Sequence, residues 1–348
     1  MVGKGFTEWT NVTKAKPRIK NHYQPHLPTD LGFYDLRHDD VMIEQALMAK
    51  KNGIAGFCFY HYWFNGKLVL EKPIESMLKN KKYDFPFCLC WANENWTRNW
   101  DGRSKEVLLE QKYSEQDDLL HIEYLAKFLN DKRAIKVDGK PLLIIYKTEN
   151  LPDAKNTVEI WRKYCRENGI GEIYLALMEQ SVYELDANEI GFDASIEFQP
   201  KWKNLSEKHR VYGDFITKLL HRLKLKESPF IKNGVFSYES YVNEIKENTV
   251  HSNFKRFPGI TPMWDNSARR KEGAIIFHDS SPTLYGSWLE HIVNTFKPFT
   301  PEENFIFINA WNEWAEGNHL EPCVKYENQY LKITKEILSK KEVNTAEL

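Results

Sequence analysis

The sequence is short of most features that mark other classes of protein. No glycine-rich turn follows any strand-like segment, which argues against the phosphate-binding turn of an open doubly wound sheet. No apolar run reaches the roughly 18 residues that a membrane span needs. The net charge is -1 and the isoelectric point about 6.8, so there is no basic excess to meet nucleic acid or an anionic membrane. The 5 cysteines are odd in number, and three of them (Cys58, Cys88 and Cys90) lie in apolar strand-like runs, as small buried hydrophobes of a reducing compartment do. Cys88 and Cys90 form CxC with no second pair at zinc spacing, so no metal site and no cofactor are expected. Met1 to Trp9 contain no signal-peptide core, and the expected location is cytoplasmic.

Apolar and aromatic residues are abundant. The apolar fraction of 42% is enough for a large core, and 11 Trp exceed what a core requires. Apolar strand-like runs at 54–64, 85–91, 141–146, 173–178, 193–198, 259–264 and 305–310 alternate with helical patterns near 40–52, 72–82, 115–130, 156–168, 238–248, 282–296 and 324–340. Ser114 is placed to cap one helix and Gly53 to close another. The run 274–277 reads as a small edge strand, 206–226 as a basic solvated face, and 1–37 as loop. Such alternation predicts a parallel sheet with helical crossovers, an α/β fold of the (β/α)8 TIM-barrel type. The steps count seven, one strand short. One domain over 1–340 with a polar tail over 341–348 is expected.

Each strand-like run ends in polar and aromatic residues, as barrel strands do at an active-site face. The last is the most pronounced. The run Phe305 to Ala310 reads as a strand buried on both faces, and Asn312, Glu313, Trp314, Glu316 and Glu321 follow at once. Glu313 and Glu316 are three apart and share a face in a helical turn. Two carboxyls held close do not ionise alike, so one can serve as acid and the other as base. Indoles among the acids suit a sugar site. The other strand ends offer Tyr60 and Tyr62 on one side with His61 on the other, then Trp91, Asn93, Glu94 and Trp96, Glu197 and Gln199, and Trp264, Asp265 and Asn266. Glu8 and Trp9 are loop contributors. His61 reads equally as a core histidine, Trp91 and Asn93 as a structural indole and a cap, and the Glu313 region as a solvated capping turn.

The strings Gly5-Phe-Thr-Glu-Trp-Thr-Asn-Val-Thr13, His22-Tyr-Gln-Pro-His26, Leu31-Gly-Phe-Tyr-Asp-Leu-Arg37, Gly56 to Phe64, Trp91-Ala-Asn-Glu-Asn-Trp-Thr97 and Asn312-Glu-Trp-Ala-Glu-Gly317 resemble the WbsX-like family of bacterial surface-polysaccharide gene clusters. The resemblance covers nearly the whole chain. That family is named as glycosyltransferases of O-antigen synthesis. Its fold and C-terminal motif resemble glycoside hydrolase family 99, the endo-α-mannosidases, which are (β/α)8 barrels. By resemblance, Glu313 acts as base on the sugar 2-hydroxyl and Glu316 as general acid and then base, through a 1,2-anhydro intermediate with retention. The histidine often found inside the hydrolase motif is Ala315 here, and the strand that normally precedes the Gly-Phe-Thr-Glu-Trp stretch is not in the sequence. The resemblance therefore implies a barrel lacking its first strand, with an exposed apolar edge.

Three readings of function follow. The first is an enzyme cleaving or transferring a glycosidic bond of a bacterial oligo- or polysaccharide (O-antigen, lipopolysaccharide or capsule) through the glutamate pair. The second is a transferase using a nucleotide sugar, or acting on a lipid-linked glycan; the absence of an Asp-x-Asp motif counts against it without excluding metal-independent transferases. The third is a glycan-binding or decayed barrel.

Overall fold

The structure is a computed structural model describing residues 6–98, 103–180, 185–213, 215–223, 228–249 and 252–346. Its centre is a run of parallel strands, β1 (Phe57–Phe64), β2 (Phe87–Trp91), β3 (Lys140–Ile145), β4 (Tyr174–Glu179), β5 (Ala194–Glu197) and β6 (Arg256–Phe257), hydrogen-bonded to one another in chain order. Pro258 interrupts the sixth position. The chain resumes as β7 (Gly259–Ile260), which pairs in parallel with β8 (Phe307–Ile308). These are the seven strand positions expected from sequence. Among the described residues no ladder joins β8 to β1. The expected strand at 259–264 is thus shorter and split. The run Phe305 to Ala310 is half-buried rather than buried on both faces, because β8 has a ladder partner on one side only.

Parity along the strands sorts the core. Phe87, Leu89 and Trp91, with Leu143, Ile145, Leu175 and Leu177, face the helices. Cys88, Cys90, Leu142, Ile144, Ala176, Met178 and Ile196 face the interior. Both faces are dry, which is why these strands read as continuous apolar runs rather than alternating ones. Cys58 departs from expectation: it is exposed, on the half of β1 whose far side has no ladder partner. All five cysteines are free.

The helices α1 (Glu8–Val12), α2 (Asp39–Lys51), α3 (Lys72–Lys79), α4 (Glu115–Leu129), α5 (Ala154–Glu167), α6 (Phe215–Arg222), α7 (Tyr238–Glu247), α8 (Pro282–Thr295) and α9 (Gln329–Ala346) cover the outside. In α2 the buried residues Met42, Gln45, Ala46 and Ala49 recur at helical spacing. Asp39 and Asp40 open that helix, Lys50 and Lys51 close it, each complementing the dipole, and Gly53 follows at φ +80°. The Ser114 hydroxyl caps α4 by accepting from the Asp117 N–H at 3.1 Å. Three expectations change. The N-terminal loop contains α1; α9 begins later than expected and runs into the 341–348 tail; the basic stretch breaks into a short turn and α6, with 224–227 outside the described residues. The run at 274–277 does form an edge strand, Ile275–His278, paired with Gly234–Ser237. No described helix is long and apolar enough to cross a membrane.

Gly259 shows how close the strands run where the sixth position breaks. A Cβ there would sit 1.8 Å from the Glu197 carbonyl oxygen, a backbone atom that cannot move aside. Gly139 has open space around it but a φ of +77°. Gly259→Ala is expected to cost about 3 kcal/mol or more and Gly139→Ala only about 1 kcal/mol, as read from urea unfolding. Equal costs would contradict the packing described here.

Candidate active site

After β8 the chain forms a short antiparallel ladder in which Asn312 and Glu313 pair with His319 and Asn318. A single 3-10 turn, Trp314–Glu316, lies between, so the two glutamates leave one tight loop rather than a longer helix. Gly317 closes the turn at φ +52°, where a side chain would meet the Asp265 backbone 2.8 Å away. The Asp265 N–H donates to the Glu316 carbonyl at 2.7 Å, joining the loop after β8 to the loop after β7.

Arg269 holds the two carboxylates together. Its guanidinium donates to Glu316 at 2.6 Å, to Glu313 at 3.1 Å and to Glu8, on α1, at 2.8 Å. The two acid side chains are only 28% and 23% exposed. Burial pushes Glu316 up to about 7; Arg269 opposes this, and Glu313 and Glu8 add to it. Burial raises Glu313 as well, again against Arg269. Desolvation works against the charge on Arg269, yet Glu316, Glu313 and Glu8 together hold its pKa well above the usual value. The arrangement is a coupled acid pair with one counter-ion, in which Glu316 holds a proton near neutral pH.

Tyr60 and Tyr62 share the interior face of β1, as their parity predicts, and line this pair. Burial and then Tyr146 keep the Tyr60 hydroxyl protonated, with Glu313 adding; for Tyr62 burial and then Glu313 do so. Trp96 meets Tyr62 edge-on at 5.1 Å, extending an aromatic wall, and Tyr60 meets Tyr146 at 5.7 Å. Glu94 pairs with Lys147. Asn99 and Trp100 lie outside the described residues.

Other expected contacts are placed differently. Trp91 has 0% exposure, because its parity turns it to the helices, where it packs against His121 and Trp161. Asn93 is buried and spans the Lys147 backbone, accepting from its N–H at 2.8 Å and donating to its carbonyl at 2.7 Å. His61 is a core histidine stacked on His121 and Tyr124. Trp264 packs on Trp202 at 4.8 Å, and Asp265 bonds His22 at 2.6 Å and also Gln24. Asn266 accepts from the Ile275 N–H. Glu197 pairs with Lys201 and Arg256, and Gln199 accepts from Tyr241. The Trp314 and Glu321 side chains are buried behind the turn that bears Glu313 and Glu316. Glu321 is 2% exposed and accepts from Trp314, Tyr34 and Gln45 at 2.7, 2.8 and 2.6 Å, yet burial still carries it up to about 7. Asn312 donates to the Tyr34 hydroxyl at 3.0 Å. Trp9 packs against Trp314 at 5.4 Å, which sets α1 and Glu8 over the site. Arg269, Tyr34, Gln45 and His22 were not singled out by sequence. His22 and Tyr34 lie inside recognisable strings, whereas Arg269 sits in Ala-Arg-Arg-Lys, which reads as a solvated charge run.

The family described as Glycosyltransferase WbsX matches residues 1–334. The chain belongs to the WbsX glycosyltransferase family. It is 41% identical over 339 residues to the WxcX protein of Xanthomonas campestris pv. campestris strain B100, covering 97% of this chain and 47% of that protein. It therefore spans about half the length of the curated relatives it matches. Among solved structures it is similar to a glycoside hydrolase-like protein (TM-score 0.57, 16% identity, 90% of this chain and 89% of that one). It is also similar to the family 99 endo-alpha-mannosidase of Bacteroides thetaiotaomicron solved with bis-tris-propane (TM-score 0.54, 14% identity, 92% and 89%). These likenesses are of fold, a mixed α/β architecture around a parallel-rich sheet.

A raised carboxyl pKa has a signed consequence for stability. The folded value of about 7 for Glu316 lies above the unfolded value of 4.5. The group's stabilising contribution is complete below about pH 4.5 and is lost as pH rises through about 7. Glu316→Gln is therefore expected to gain on wild type between pH 5 and pH 8, by on the order of 2 kcal/mol in urea unfolding. A stability difference that is the same at both pH values would remove the claim that Glu316 is held protonated.

Proposed function

We propose that this chain is a retaining, family-99-like enzyme of bacterial surface-polysaccharide metabolism that cleaves or transfers a glycosidic bond. The observation that carries the reading is one guanidinium gripping the partly buried Glu313 and Glu316, with Glu316 raised to about 7. Glu316 has the proton that a departing glycosidic oxygen needs at neutral pH. Glu313, closer to Tyr60 and Tyr62, takes the part of base on the sugar 2-hydroxyl, so that this oxygen displaces the leaving group. Glu316, now ionised and steadied by Arg269, then draws a proton from water or an acceptor hydroxyl that opens the anhydro ring. Tyr62 and Trp96 offer apolar faces for sugar C–H groups. The strand order supports a (β/α)8 barrel with a gap between β8 and β1, its site at the carboxyl ends of the strands.

A second reading, transfer from a nucleotide sugar or action on a lipid-linked glycan, is favoured by one observation besides the family's description. A cavity of about 320 Å³ lined by Asn11, Lys14, Lys16, Arg18, Ser267 and Ala268 adjoins the Arg269 loop, and its lysines suit a diphosphate. Product analysis separates the two. Surface-polysaccharide oligosaccharides incubated with wild type, Glu313→Gln and Glu316→Gln, with and without nucleotide sugars, are read by mass spectrometry. Shortened or rearranged glycans formed without nucleotide, with the rate down by about 10²–10⁴ in either variant, is the expected result. Elongation strictly dependent on one nucleotide sugar would replace it with the second reading. No product in any condition would leave a glycan-binding chain.

A further inference from the structure

Behind the catalytic loop, three side chains far apart in sequence converge on one point. His26, His319 and Cys323 are 6%, 1% and 1% exposed, and their ligand atoms all lie within 4.8 Å of one another. We infer that His26, His319 and Cys323 bind one divalent metal ion of the zinc class, a site that braces the N-terminal segment against the loop bearing Glu313 and Glu316.

The geometry supports this at each ligand. The His26 Nδ1 and His319 Nε2 atoms are 3.3 Å apart. A tetrahedral ion with metal–nitrogen bonds of about 2.0–2.1 Å places two ligands about 3.3–3.4 Å apart. His319 Nδ1 lies 2.9 Å from the Glu321 carbonyl and so carries its proton there, leaving Nε2 with a lone pair turned towards His26. A carbonyl partner of this kind is the usual outer support of a metal-bound imidazole. The ring is further fixed by Trp314, stacked on it at 3.9 Å. Burial holds the Cys323 thiol above its usual range, and the backbone N–H groups of Tyr326 and Lys325, which point at the sulfur, oppose this.

Backbone pairing brings these segments together. The Val324 N–H donates to Leu27 at 2.9 Å and the Thr29 N–H to Pro322 at 3.1 Å, so the segments bearing His26 and Cys323 are already joined side by side. His26 also lines a cavity of about 40 Å³ with His22, Asp265 and Lys325, room for an ion's approach and a water as fourth ligand but not for a sugar. Lys325 is the adverse charge there. It is engaged over the Tyr23 and Tyr326 rings, at 5.0 and 4.5 Å. Two imidazoles and one thiolate favour zinc-class ions over magnesium or calcium, which take oxygen.

The test uses the full chain, free of any affinity tag and stripped with chelator. Cobalt(II) titration is expected to give the absorption of a tetrahedral site with a thiolate-to-cobalt charge-transfer band, saturating at about one ion per chain and displaced by zinc. Saturating zinc is expected to raise Tm by roughly 3–6 °C. In Cys323→Ser the charge-transfer band disappears and zinc no longer raises Tm. Should that variant fail to fold, His26→Gln, altered at the cavity edge, is expected to weaken cobalt binding tenfold or more. No charge-transfer band and no zinc-dependent Tm shift in wild type would overturn the site. So would a band that survives in Cys323→Ser or binding unchanged in His26→Gln.

Discussion

The site depends on one guanidinium. Glu313, Glu316 and Glu8 converge on Arg269, which gathers like charges where solvent screens them only in part. Without a counter-ion their repulsion adds to the desolvation cost, and the pair simply protonates. With one, the pair is left part-way, raised but still able to ionise, which acid/base chemistry at a single centre requires. The position of Arg269 is therefore as consequential as that of the glutamates. It follows a short 3-10 turn, Asn266–Ala268, capped by Asp265 through the Ser267 N–H at 2.9 Å. His22 and Gln24 grip Asp265 in turn, and the His22 contact holds its carboxyl ionised although burial works against the charge. An N-terminal segment without a central strand thus fixes a cation that acts at the opposite end of the chain.

Much of this was legible in the sequence. Strands buried on both faces leave continuous apolar runs, and seven such runs are the seven parallel positions observed. That Glu313 and Glu316 would lie close together was legible in their spacing of three, and Arg269 does hold both. Parity predicted that Tyr60 and Tyr62 would share one side of the strand and that His61 would take the other, as observed. The same rule, applied to β2, turns Trp91 towards the helices, but an aromatic strand end conceals which side each ring takes. Trp264 and Asp265 share that difficulty: their composition suits a site, while their contacts make them supports. Arg269 and Gln45 were not legible. One sits in a charge run and the other on a helix, and each acquires its role only when distant segments meet.

The β8 strand explains why the site needs so many supports outside the sheet. Among the described residues it has a ladder partner on one side only, and its residues are half-buried, so by itself it fixes the positions of Glu313 and Glu316 weakly. The loop compensates through contacts at its own end. Gly317 lies against Asp265, Trp314 is trapped between Trp9 and His319, and Glu321 gathers three donors beneath the turn. Glu321, raised though its donors oppose the shift, ties three segments together, because each donor comes from a different one: the turn after β8, the 31–37 stretch and α2. A buried polar group so shared gains little stability, but it leaves the loop only one arrangement in which all its partners are satisfied. The order of this candidate site therefore comes from polar convergence rather than from the sheet, and it places the constraint on residues that no strand carries.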